Sequence, residues 1–122
     1  METLGIETTF NYKPFTIAEL WRKYTEKRDN GIDEAYINVG DYVLLQNKSY
    51  LKNTYDSLPN TSQYSKKNHD RIVECGSMLM AVVQSCKVAE DLYYTTVVGL
   101  DGEDLILIDD DIKTVYKPVR KE

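Results

Sequence analysis

The sequence predicts an α+β domain, mostly β, with one N-terminal helix set against a barrel or a curved antiparallel sheet. Three observations carry that expectation. Ile17, Leu20, Trp21 and Tyr24 recur at helical spacing behind Thr16 and Glu19, a Thr-x-x-Glu capping box. After Gly31 the period changes, and from Arg71 onward the runs Ser77–Cys86 and Leu92–Leu100 are β-like. Asp101-Gly102, a turn signal that favours positive φ, then leads into Leu105-Ile106-Leu107-Ile108.

Taken in order, residues 1–15 read as an arm with one short strand around Thr8–Tyr12. The helix follows over 16–30, with Arg22, Lys23, Glu26 and Lys27 off its apolar stripe and Asn30-Gly31 ending it. Ile32–Val39 leads into Gly40-Asp41 and a strand over Tyr42–Gln46. Residues 47–70 are polar and lack clear periodicity, so they are expected as one long loop with at most a helical turn near Leu51–Tyr55. The strands Ser77–Cys86, Leu92–Leu100 and Leu105–Ile108 come next, and a last strand, Lys113–Lys117, is expected to stop at Pro118.

The chain of 122 residues fits one domain, 1–122, with the sheet over 37–118. Its 42% hydrophobic and 29% charged residues exclude wholesale disorder. A net charge of −5 and a pI near 4.9 argue against a generic polyanion binder, which needs a basic excess. Cys75 and Cys86 stand apart without a Cys-x-x-Cys pair, and with the lone His69 they fall short of a zinc ligand set. The N-terminus shows no leader pattern and no run spans a bilayer, so free thiols in a cytoplasmic protein are expected. Ten tyrosines, against one tryptophan and two phenylalanines, suit half-buried strands or a contact face equally.

Two short motifs stand in a telling order. Val39-Gly40-Asp41-Tyr42-Val43 opens the sheet, and Asp109-Asp110-Asp111-Ile112 precedes the brief strand Thr114-Val115-Tyr116. With a long loop and three meandering strands between them, this order resembles the Src-homology-3-like small barrel over about residues 37–118. The resemblance implies a barrel with helix 16–30 packed across one end. An α+β roll, one helix on a curved antiparallel sheet, is the alternative.

No residue pattern demands catalysis. Glu103, Asp104, Asp109, Asp110 and Asp111 crowd together, but the Asp-x-Asp-x-Asp-Gly order of a calcium loop is missing. His69 lies between Asn68 and Asp70 without a nucleophile such as Gly-x-Ser-x-Gly nearby, and neither Ser57, Ser77 nor Cys75 has that context. All six glycines are isolated, so no phosphate-cradling loop exists. The expectation is a non-enzyme with neither metal nor cofactor.

Binding is the remaining class. Within 47–75, Tyr50, Tyr55 and Tyr64 interleave with Lys48, Lys52, Lys66, Lys67 and Arg71, five basic residues against three acidic ones. Residues 87–122 hold five basic against nine acidic. This polarity points first to a protein-binding module that uses Tyr50, Tyr55, Tyr64, Lys66 and Lys67, or the acidic turn Asp109, Asp110 and Asp111. In size, acidity and tyrosine content the chain is similar to small phage-encoded inhibitors, anti-CRISPR and anti-restriction proteins among them, which implies a host or bacterial protein as partner. Stacking of bases on those tyrosines, with lysines tracking phosphates, makes single-stranded nucleic acid the second reading. Capture of a nucleotide-like small molecule is the third.

Overall fold

The computed structural model describes residues 10–54, 63–89 and 92–120. Six strands form one antiparallel sheet: β1 (Phe10–Phe15), β2 (Tyr42–Leu45), β3 (Leu79–Ala89), β4 (Leu92–Val98), β5 (Asp104–Leu107) and β6 (Ile112–Arg120). Their order across the sheet is β1-β6-β2-β3-β4-β5. The sheet is open, with β1 and β5 at its margins. The expected α+β, mostly-β class is therefore met, and a closed barrel is not what the six strands make.

Helix α1 (Ile17–Asp29) begins as its sequence dictates. Thr16 Oγ1 accepts from the Glu19 N–H at 3.1 Å, and the Thr16 N–H donates to Glu19 Oε1 at 2.8 Å. Asn30 caps the other end, and Gly31 takes φ +85. Leu20 and Tyr24 are buried, while Trp21 stacks on Tyr24 with centroids 5.3 Å apart. Tyr36 and Tyr93 complete this aromatic cluster, 4.8 Å from one another.

The segment expected as a long loop, 47–70, instead contains α2 (Lys48–Asn53) and the start of α3 (Lys66–Glu74). Asn47 Oδ1 caps α2 on the Tyr50 N–H at 2.8 Å, and Ser65 Oγ caps α3 on the Asn68 N–H at 3.2 Å. Its helical period is hard to read because the buried side of α3 is Asn68, His69 and Ile72, two polar residues and one apolar. Leu51, buried on α2, meets that side through its carbonyl.

Three other boundaries move. The part of the expected first strand at Thr8 and Thr9 lies outside the described residues, and β1 runs on through Pro14 to Phe15. The Asp101-Gly102 turn is present with Gly102 at φ +82, but the connection spans residues 99–103, closed by Gly99 N–H to Glu103 O at 2.9 Å. β6 does not stop at Pro118. Beyond Tyr116 it is paired with β1 alone, so the missing proline N–H breaks no ladder on the β2 side.

β3 gives the sheet its bend. Leu79, Met80 and Ala81 pair with β2, whereas Val82 onward pairs with β4, with a register shift between Val82 and Gln84. Val43, Leu45, Val82, Val97, Leu105, Leu107, Ile112 and Val115 fill the core. Each fully buried aliphatic side chain contributes about 1.5–3 kcal/mol, against about 1 kcal/mol for a ladder bond, so these positions fix the register. Cys75 is buried and Cys86 exposed, and both are free thiols.

At its far margin the sheet is closed off by α3. The Asn68 carboxamide accepts from the Ile106 N–H at 3.0 Å and donates to the Ile106 carbonyl at 2.8 Å, as a neighbouring strand would. Arg71 adds a fork to Asp101 (2.8 and 3.1 Å) and bonds to the carbonyls of Asp104 and Glu103.

Candidate functional site

The residues expected to form a contact surface separate into two groups. Tyr50 is 40% exposed on α2, Lys66 and Lys67 are exposed on the first turn of α3, and Asp110 is exposed on the 3₁₀ turn Asp109–Asp111. Tyr64 and Asp111 are not on the surface: each is 1% exposed and they bond to each other in the core. Asp109 is half-buried and accepts from the Tyr36 hydroxyl. Tyr55 lies outside the described residues. The expected tyrosine-lined loop thus loses Tyr64, whose ring packs in the core and whose hydroxyl finds its acceptor there in Asp111.

Tyr64, Asp111 and His69 form a buried chain. Tyr64 Oη lies 2.6 Å from Asp111 Oδ2 and 3.2 Å from His69 Nδ1, and His69 Nε2 lies 2.9 Å from Leu51 O. A carbonyl only accepts, so Nε2 carries a hydrogen. The hydroxyl has one proton for two partners, and all three bonds hold together only when one further proton sits on Nδ1 or on the carboxyl. Burial pushes the Asp111 carboxyl above the usual carboxylate range, against the opposing pull of the Tyr64 hydroxyl and the Ile108 N–H. Burial, reinforced by Asp111, drives the Tyr64 phenol well up. His69 is 1% exposed as well, so the chain ties the 3₁₀ turn to α2 and α3 and offers no surface for a substrate.

The same arrangement recurs less deeply at the α1 side. Burial pushes Asp109 and Tyr36 up, and their mutual bond holds the turn to residue 36. Tyr24 donates to Asp33 at 2.8 Å, and Lys87 reaches both at 3.3 Å. The Tyr24 hydroxyl and then Lys87 hold the Asp33 carboxyl below its usual range. Asp41, 4% exposed, accepts from the Asn38 N–H at 2.9 Å and from Lys117. Among the described residues no three His, Cys, Asp or Glu side chains gather as a metal site would require.

A surface of another kind lies on the sheet. Val43, Leu45, Met80, Val82 and Val115 point into the core, so their strand neighbours point out. The register aligns those neighbours in rows. Pro14, Tyr116, Tyr42 and Ala81 make one row across β1, β6, β2 and β3. Thr114, Leu44 and Leu79 make a second, and Tyr12 with Pro118 a third. Tyr12 meets Tyr42 edge to face, centroids 5.4 Å apart. Leu79 is 56% exposed, and Val83, 45% exposed, extends the face along β3.

None of these residues carries a formal charge, in a chain where 29% of residues do. The solvated side of an antiparallel sheet is ordinarily polar, so an uncharged one is informative. Singling out the tyrosines of residues 47–75 misses this face, which holds Tyr12, Tyr42 and Tyr116. Its signal is the uninterrupted run Tyr42-Val43-Leu44-Leu45, in which both alternate sets are apolar. No described helix is long and apolar enough to cross a membrane.

Fold and face together define a mostly-β sheet module with an uncharged patch on its outer side. No family model, curated protein or solved structure matches the chain.

Proposed function

We propose that this is a non-enzymatic protein-binding module with the strand order of the Src-homology-3-like kind, its sheet left open, and that it meets its partner through the outward face of β1, β6, β2 and β3. The observation that carries the reading is the run of uncharged side chains centred on Tyr42 and Tyr116. Exposed tyrosine and aliphatic groups without charge are what the desolvated centre of a protein interface is made of. The small-barrel relation draws support from the strand order: β2 to β5 meander, a 3₁₀ turn follows, and β6 returns to pair with β2.

The face carries more of the argument than the tyrosine–lysine surface considered for a single-stranded nucleic acid. That surface needs Tyr64 as a stacking platform, and Tyr64 is committed to Asp111 in the core.

A photo-crosslinking residue placed at Tyr42, with a second variant bearing it at Tyr50, tests the reading in cells. Protein adducts from position 42 that disappear on Leu79→Lys are the expected result. Adducts from position 50 alone, or adducts indifferent to Leu79→Lys, would overturn it.

A further inference from the structure

The outward sheet face admits a sharper statement, which rests on the binding reading above. We infer that its occupant is a second copy of this chain, packed face to face across a two-fold axis.

Area comes first. With Leu79 at 56%, Tyr12 at 47%, Val83 at 45% and Tyr42 at 37% exposure, and with the six other residues of the three rows exposed or half-buried, the face presents on the order of 700 Å². Two such faces bury roughly 1,400 Å², inside the range of specific, stable interfaces.

Charge comes second. The chain carries −5, so most surfaces brought against their own copy set like charge against like. The row Pro14–Tyr116–Tyr42–Ala81 and the rows on either side of it set none, and the next charged position on the same side of β6 is Arg120, at the strand's end. A strongly charged partner, by the same token, finds no counter-charge on these rows.

Self-complementarity comes third. Two sheets packed face to face lie about 10 Å apart with their strands nearly aligned. An axis along the Pro14–Tyr116–Tyr42–Ala81 row lays that row against its own copy, tyrosines central. The same rotation exchanges the two flanks of the row, bringing Leu79 towards Val83 of the second copy and Pro118 towards Thr114. An isologous contact of this kind closes at two copies and does not propagate.

Sedimentation and light scattering on the full chain over about 1–200 μM test the inference. The expected particle has twice the 14.1 kDa chain mass. Leu79→Lys and Tyr42→Lys, both at exposed positions, are expected to raise the dimer dissociation constant at least tenfold while far-ultraviolet circular dichroism stays unchanged. Tyr50→Lys, off the face, is expected to leave it alone.

A monomer at 200 μM overturns the inference, and so does a dimer that ignores both lysine variants. A monomer that pairs only after residues 1–9 are removed also overturns it and assigns the face to that segment. Crosslinking at position 42 separates this failure from failure of the binding reading. Adducts with a different protein sink the homodimer alone, whereas no adduct at all sinks both.

Discussion

Tyr64 donates to Asp111 at 2.6 Å across forty-seven residues of sequence, and both groups are sealed from water. The bond joins the helical insertion between β2 and β3 to the turn that launches β6. Four expectations follow from this and neighbouring details.

Removing the hydroxyl leaves a buried carboxyl and a buried ring nitrogen without their shared partner. Tyr64→Phe is therefore expected to cost about 1–3 kcal/mol, since it takes one hydrogen bond from each of two buried polar groups while Asp111 keeps the Ile108 N–H. Urea unfolding measures it. A double-mutant cycle with Asp111→Ala, which removes the acceptor, should show coupling well above zero, and strict additivity would mean that the bond contributes nothing.

The pH dependence of Asp111 has a definite sign. Burial raises its folded pKa above the unfolded value, so its contribution to stability is fully present below about pH 4 and is lost as pH rises through the folded pKa. Asp111→Asn removes that loss and keeps an acceptor for Tyr64. The stability of the variant relative to wild type should thus increase with pH from about 4 upward. Asp33 and Asp101, held down chiefly by their bonds to Tyr24 and Arg71, work the opposite way and lose their contribution as pH falls. Parallel stability–pH curves for variant and wild type would contradict the assignment to Asp111.

Asn68→Asp keeps an acceptor for the Ile106 N–H but turns a carboxylate towards the Ile106 carbonyl. A loss of about 1–3 kcal/mol is expected, with Asn68→Ala in the same range. Amide exchange at Ile106 should quicken in both. Unchanged protection there would show that the side chain is dispensable.

Two adjacent residues after α3 should respond in opposite directions. Ser77 sits at φ +66, where a side chain costs about 1–2 kcal/mol, so Ser77→Gly should stabilise by up to about 1 kcal/mol after its entropic cost. A Cβ on Gly76 would stand 2.9 Å from the Lys48 nitrogen and 2.5 Å from its Cγ. Gly76→Ala is expected to lower the melting temperature, and calorimetry on both variants checks the pair.

Local chemistry explains what could be read beforehand. Thr16 and Glu19 specify the start of α1 within four residues, and the apolar run from Leu79 specifies β3 without help from elsewhere. α3 escaped because its inward side chains, Asn68 and His69, are polar and acquire their partners only from Ile106, Tyr64 and Leu51. Tyr64 looked like a surface group for the same reason, since Asp111 arrives forty-seven residues later. The outward face was written in the sequence as tyrosines and prolines, but its rows exist only once β6 lies between β1 and β2. Short-range pattern reached the elements; register and long-range pairing decided the site.

The carboxamide on Ile106 has a bearing on how this chain behaves in a crowd. A foreign strand arriving at β5 finds the donor and acceptor it needs already engaged, and must first prise α3 away. Fibre growth from that side therefore waits on a local unfolding event.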